Sequence, residues 1–258
     1  METDRQARLE AAREAALKAG AMLLERRSFH VEHKAENDYV TDMDRASEKM
    51  IVSALRERFP EDGFYGEEYG VSERRDGMWV IDPIDGTTNF VKNIPLYTIS
   101  IAYMYKGELE AGVVYAPALN EMYTATKGGG AFMNGRPIHV SSVTEPRDAV
   151  AAMSFIHRHP DVSVKVMPQL AALVLQVNDL RRMGSAAFDL CCVACGRTEA
   201  FFEAKLQLYD IAAGVLIVRE AGGKVTGWKN GPDCLVSGDV MATNGLMHDF
   251  FYDRMRLD

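Results

Sequence analysis

Cysteine is scarce, with four residues in 258, at positions 191, 192, 195 and 234. Three crowd one apolar, helix-like stretch that begins at Phe188, where adjacent positions build no disulfide framework. No further Cys or His stands at ligand spacing, so these thiols read as small buried gap-fillers, not a redox or soft-metal centre. No apolar run approaches the roughly 20 residues that span a bilayer. The charged N-terminus also lacks the apolar core of a secretion signal, which makes a cytoplasmic location the expectation. Positive charge is in deficit: 29 Lys and Arg against 37 Asp and Glu leave a net charge of -8. A phosphate-rich polymer is therefore a poor default partner, which argues against direct nucleic-acid contact, and the field favours cations. There is no internal repeat or low-complexity segment. Gly128-Gly129-Gly130 lacks the spacing of a nucleotide-binding loop and reads as a hairpin crossing.

What is present suits a soluble globular chain: 47% hydrophobic and 26% charged residues, enough for one large domain or two packed halves. Leu9, Ala12, Ala16, Leu17, Leu23 and Leu24 recur at helical spacing and predict an amphipathic helix from about Thr3 to Phe29. Residues 33–44 read as a polar turn, with Asp42 or Asp44 capping a second helix from Arg45 to Phe59 whose inward face carries Met50, Ile51, Ala54 and Leu55. Tyr97–Tyr105, Leu109–Tyr115 and Met122–Thr126 predict a β-meander, and Asn134-Gly135 a tight hairpin. Polar residues 141–147 join two halves, 1–146 and 147–258. The second half alternates strands (Ala149–Ser154, Val177–Arg181, Glu199–Glu203) with helices (Val162–Leu175, the stretch opened by Gly184-Ser185-Ala186-Ala187, and Tyr209–Glu220). A last strand near Val240 leads into a helix ending about Met255. His157-Arg158-His159 reads as a surface loop with a minor prospect of touching substrate.

The chemistry concentrates in Trp79-Val80-Ile81-Asp82-Pro83-Ile84-Asp85-Gly86-Thr87-Thr88-Asn89-Phe90. Met78–Ile81 predicts a short buried strand, and Pro83 and Gly86 are expected to force the chain out of it. That places Asp82 and Asp85 on a loop with rigid support. Two acids beside a close-approach glycine and hydroxyls suit hard cations bridging to a phosphate. Glu67 and Glu68 add acids, and adjacent side chains on an extended chain point opposite ways, so one of the two at most is expected to face the site.

Asp82 to Phe90 resembles, over nine positions, the D-P-x-D-G-T-x-N-F signature of the inositol monophosphatase family. Four further blocks, Lys34 to Asp44, Gly66-Glu67-Glu68, Gly184-Ser185-Ala186 and Tyr209-Asp210-Ile211-Ala212-Ala213-Gly214, follow the family's order. The last departs from its W-D-x-A-A-G in carrying Tyr209 for Trp. The resemblance implies an α/β fold, a five-layered αβαβα sandwich of the sugar phosphatase type, and a homodimer. It implies two or three magnesium ions held by Glu67, Asp82, the Ile84 carbonyl, Asp85 and Asp210. Thr87, oriented by Asp44, would position a water, and N–H groups at Gly86 and Thr87 would hold the phosphate. Glu67 would share in catalysis with Thr87 and Asp44, Lys34 would lie nearby, Asp85, Ser185, Ala186 and Asp210 would touch substrate, and Glu203 would contact its hydroxyls. Activity on inositol monophosphate or a similar small polyol phosphate follows, with lithium inhibition. The alternatives are fructose-1,6-bisphosphatase, histidinol-phosphatase or nucleotide 3′-phosphatase activity, or a non-catalytic role binding the transcription machinery.

Overall fold

Two long helices cover one face of a large sheet, the first through a small apolar stripe and the second through Ile51 and Leu55. The computed structural model describes residues 2–25, 29–35, 38–154, 160–228 and 233–255. Helix α1 (Glu2–Glu25) packs through Ala11, Ala12, Ala15, Ala16 and Ala19 with Leu9 and Leu23. Leu17 and Leu24, expected inward, are 45% and 49% exposed. An alanine stripe lets the helix lie so close to the sheet that its flanking leucines fall outside the contact. The described part of the helix runs to Glu25, and Phe29, its expected end, is not helical.

Strands β1 (Val31–Ala35) and β2 (Asp38–Thr41) pair antiparallel where a turn was expected. Helix α2 (Asp42–Arg58) then begins one residue after Thr41, which is its N-cap in place of Asp42 or Asp44. Thr41 accepts from the N–H groups of Met43 and Asp44, and Asp44 reaches back to the Thr41 N–H, a reciprocal capping box.

The large sheet has the order β10-β9-β8-β7-β6-β5-β3-β4. Its strands are β3 (Gly63–Gly66), β4 (Gly70–Val71), β5 (Gly77–Asp85), β6 (Thr98–Tyr105), β7 (Glu108–Ala116), β8 (Glu121–Thr126), β9 (Gly130–Met133) and β10 (Arg136–Ile138). Short helix α3 (Thr87–Val91) follows β5. The expected meander is β6–β8, and Asn134 and Gly135, at φ 50° and 76°, make the β9–β10 turn.

A second sheet has the order β12-β11-β13-β15-β14. It comprises β11 (Val150–Met153), β12 (Asp179–Arg181), β13 (Ala200–Glu203), β14 (Lys224–Thr226) and β15 (Val240–Thr243). Strand β14 and short helix α7 (Cys234–Ser237) had no sequence forecast. Helices α5 (Ala186–Ala194) and α6 (Leu208–Glu220) are sandwiched between the sheets, and α4 (Pro160–Leu173) and α8 (His248–Met255) cover the outer face of the second. The layers run αβαβα, with one apolar core beneath α1 and α2, one around α5 and α6, and one beneath α4 and α8. Cys191, Cys192 and Cys234 are buried and unpaired, as the gap-filling reading requires.

His248 is buried between Thr226 Oγ1 (3.1 Å) and Thr243 Oγ1 (3.0 Å). Burial, with Lys224 nearby, pushes its pKa down to about 4. A histidine lowered on folding contributes stability present above its ordinary value near 6.5 and lost as pH falls toward 4, on the order of 1–3 kcal/mol. His248→Gln is expected to flatten that part of the pH dependence, read as urea midpoints between pH 7 and 4.5.

Candidate active site

Strand β5 carries the first acids. Trp79, Val80 and Ile81 are buried in the cores on its two faces. The strand does not end at Ile81 as expected: it runs through Pro83 to Asp85, because a register shift against β6 between Asp82 and Asp85 takes the proline out of the ladder. Asp82 is 2% exposed and its Oδ1 accepts from the Ile84 N–H at 3.0 Å. Gly86 then turns the chain at φ 93°, and a Cβ there would lie 2.9 Å from the Gly184 carbonyl oxygen. Only glycine serves this turn and lets the β5 loop meet the start of α5. Thr87 Oγ1 sits 3.2 Å from Asp44 Oδ1 and 3.0 Å from the Ile84 carbonyl oxygen. The other Asp44 oxygen accepts from the N–H and hydroxyl of Thr41, at 2.8 and 2.6 Å.

The glutamates come from the turn after β3. Buried Glu48 accepts from the N–H groups of Glu68 (2.7 Å) and Tyr69 (3.2 Å), and the Glu67 N–H donates to the Ile81 carbonyl at 3.2 Å. The backbone is curled there, so the extended-chain argument fails and both glutamates reach one place. Carboxylate oxygens of Asp44, Glu67 and Glu68 lie within 4.8 Å of one another, the one such trio among the described residues.

The second half closes the site through α5 and α6. Asp85 Oδ2 accepts from Ser185 Oγ and the Ala187 N–H, both at 2.7 Å. Ser185 is the α5 N-cap, and its hydroxyl also lies 3.1 Å from Thr98 Oγ1. Asp210, in the first turn of α6, accepts from the Gln207 N–H at 2.5 Å. Tyr209 presents its ring edge to Tyr65 at 5.6 Å. Gly214 brings the two helices together, since a Cβ on it would stand 2.6 Å from Leu190 Cδ1. Gly214→Ala is expected to destabilise the protein by about 1–3 kcal/mol through overpacking, read by chemical denaturation.

The charge balance is adverse. Burial raises the Asp82 pKa well above the carboxylate range, and Glu67, Asp85, Asp210 and Asp44 raise it further. Burial, Asp85 and Glu67 do the same to Asp210, against the Gln207 hydrogen bond. Asp85 stands at about 6, raised by burial and held back by its bonds to Ser185 and the α5 N–H groups. Asp44 also stands at about 6, raised by burial and the Glu68 charge and held back by Thr41 and Thr87. Glu203, at the end of β13, acts on Asp210, which places it at the same end of the sheets.

Asp44, Glu67, Asp82, Ile84, Asp85, Gly86, Thr87, Ser185, Ala186 and Asp210 thus converge on facing ends of the two sheets. The Lys34 side chain and His157–His159 lie outside the described residues. Sequence patterns did not single out Ser47, whose hydroxyl donates to the Pro83 carbonyl at 3.2 Å, nor Glu48, and gave Glu68 and Asn89 no role of their own. Asn89 Nδ2 ties the halves by donating to the carbonyls of Leu96 (2.7 Å) and Met183 (2.8 Å). A signal existed for two of them: Asp44, Ser47, Glu48, Ile51 and Leu55 share one buried α2 stripe, and polar residues on such a stripe need buried partners. A cavity of about 1130 Å³ lies elsewhere, between α1 and the β8–β9 hairpin, and its lining carries no converging acids.

Fold and site define a layered αβαβα sandwich with an acid-lined centre between its sheets. The inositol monophosphatase family model matches residues 4–255, and the chain belongs to that family of phosphatases. It is 41% identical over 240 residues to an inositol-1-monophosphatase of Mesorhizobium japonicum, covering 91% of this chain and 90% of the relative. It is 39% identical over 238 residues to the protein named Nus factor SuhB of Vibrio cholerae, covering 92% and 89%. The crystal structure of extragenic suppressor protein suhB from Bartonella henselae superposes with a TM-score of 0.92 at 36% identity, covering 97% of this chain and 98% of that one.

Proposed function

We propose that the protein is a magnesium-dependent phosphomonoesterase that hydrolyses inositol monophosphate or a similar small polyol phosphate. The observation that carries this is Asp82: a fully buried carboxyl whose strongest-acting neighbours are four other acids. Hard oxygen donors whose mutual charge is unrelieved fit a divalent cation such as magnesium. Glu67, Asp82, Asp85, Asp210 and the Ile84 carbonyl would hold it. Bound there, magnesium supplies neutralisation of the phosphate and acidification of a water.

The chain's own residues do the rest. Thr87 Oγ1 has a single proton and two acceptors within 3.2 Å, so it can pass that proton to Asp44 while accepting one from the attacking water. Asp44 stays in place because both Thr41 donors hold its far oxygen. The water adds to phosphorus in line with the ester oxygen, the P–O ester bond breaks, the water's proton ends on Asp44, and a solvent water protonates the departing alkoxide, which leaves as the alcohol. N–H groups at Gly86 and Thr87 hold the phosphate. Ser185 and Ala186 line the substrate, and Glu203 accepts from its hydroxyls.

The two halves, 1–146 and 147–258, act as one catalytic unit, and a cytoplasmic homodimer belongs to the same proposal. No helix among the described residues is long and apolar enough to cross a membrane. The test is phosphate release with magnesium from inositol 1-phosphate, fructose 1,6-bisphosphate, histidinol phosphate and adenosine 3′,5′-bisphosphate. Preference for inositol 1-phosphate is expected; preference for another ester would overturn the substrate assignment and leave the metal chemistry. A second reading, a protein-binding role in transcription, is favoured by relatives named Nus factor SuhB. Retention of cellular function by Asp82→Asn would support it.

A further inference from the structure

Helix α5 carries one more carboxyl that the site above does not use. Asp189 lies one turn beyond the N-cap Ser185 and is 2% exposed, and its Oδ1 is buried with no hydrogen-bond partner among the described residues. Helical side chains lean back toward the N-terminus, so this carboxyl lies over the turn that holds Ser185 and Ala186. Burial raises its pKa well above the carboxylate range, and the Glu203 and Asp85 charges raise it further against the exposed Arg182.

A carboxyl keeps an accepting oxygen whether or not it is ionised, and a buried oxygen without a partner is costly to leave unmet. The nearby backbone donors are engaged: the Ala187 N–H serves Asp85, the Phe188 N–H serves Ser185 Oγ, and the Asp189 N–H serves the Ser185 carbonyl. A donor for Asp189 must therefore come from outside this turn. A polyol supplies O–H donors without charge, whereas a second phosphate would bring negative charge against Asp189 and Glu203 together.

We infer that Asp189 is a specificity-determining residue that, paired with Glu203, takes the hydroxyls of a polyol phosphate and selects it over esters that have none. The inference rests on the phosphatase reading above and adds a residue to it. The ratio of kcat/KM for inositol 1-phosphate to that for phenyl phosphate reads it directly, with magnesium present. Asp189→Leu removes every acceptor and is expected to lower this ratio on the order of tenfold to a hundredfold, as leaving a buried polar group unpaired does. Most of the fall should lie in KM for inositol 1-phosphate. Asp189→Asn keeps one acceptor oxygen, falls in between, and carries the test alone should the leucine variant not fold.

A ratio unchanged in both variants, or equal losses on both esters, would overturn the inference and show a structural role only. If the unaltered protein turns over neither ester, the phosphatase reading fails by itself, and calorimetric binding of inositol 1-phosphate decides the present point. Binding at least about tenfold weaker in the variants supports the inference; equal binding, or none to the unaltered protein, overturns it.

Discussion

Asp82→Asn abolishes turnover, by on the order of a thousandfold or more, and at the same time raises the melting temperature of the metal-free protein. Both effects follow from one group. The carboxylate is fully buried among Glu67, Asp85, Asp210 and Asp44, so its charge opposes folding when no cation is bound. Asparagine keeps the oxygen that accepts from the Ile84 N–H and removes the charge. Relief of even 1–2 kcal/mol corresponds to a rise of roughly 5 °C in a chain of this size.

The sign of the pH dependence is fixed by the same groups. Asp44 and Asp85 titrate near 6 in the folded chain and near 4 unfolded, so their stability contribution is complete below about 4 and lost as pH rises through 6. Asp82 is raised further still, so the melting-temperature gain of Asp82→Asn should be larger at pH 8 than at pH 5. Magnesium should reverse the order, raising the melting temperature of the unaltered protein and leaving the variant little changed. Scanning calorimetry of the two proteins, with chelator and with magnesium, measures all of this. A variant less stable than its parent under chelator would contradict the electrostatic account.

Thr87→Val is the second large effect. It keeps shape and removes the hydroxyl that lies between Asp44 and the Ile84 carbonyl. Loss of a positioned proton acceptor costs about 10²–10⁴ in kcat, while magnesium binding persists because Thr87 is not in the proposed donor set. Thr87→Ser should recover most of the rate. Asp44→Asn should fall about as far as Thr87→Val, and the double variant no further, as groups acting as one unit are not additive. Pre-steady-state phosphate release reads these rates; additive losses would show that Thr87 and Asp44 do not act in series.

Much of this was legible in the chain because the acids sit in contiguous blocks whose spacing survives folding. Asp82 and Asp85 lie on one loop, and Asp210 opens a helix whose start Tyr209 and Gly214 mark. The meander and the β9–β10 hairpin were legible for the same reason, since alternation and Asn134-Gly135 act locally. What escaped depends on distant partners. Glu68 was set aside because an extended chain was assumed, whereas Glu48, 20 residues earlier, curls that segment by binding two of its N–H groups. Pro83 was read as a strand end, yet the neighbouring β6 absorbs it in a bulge. Thr41 took the α2 cap from Asp42 and Asp44 because β2 delivers it there in extended geometry, and Asp44 was thereby freed to face Thr87. Asp189 carries no mark in the sequence, because its burial and its unmet oxygen arise only from packing.

The central claim is that the acids around Asp82 hold magnesium for phosphate-ester hydrolysis. The direct measurement is phosphate release from inositol 1-phosphate by the metal-stripped protein as magnesium is titrated back, with Asp82→Asn run alongside. Release that is absent without magnesium, rises saturably with it and never appears in the variant is the predicted result. Release that ignores magnesium, or that the variant matches, would contradict the account.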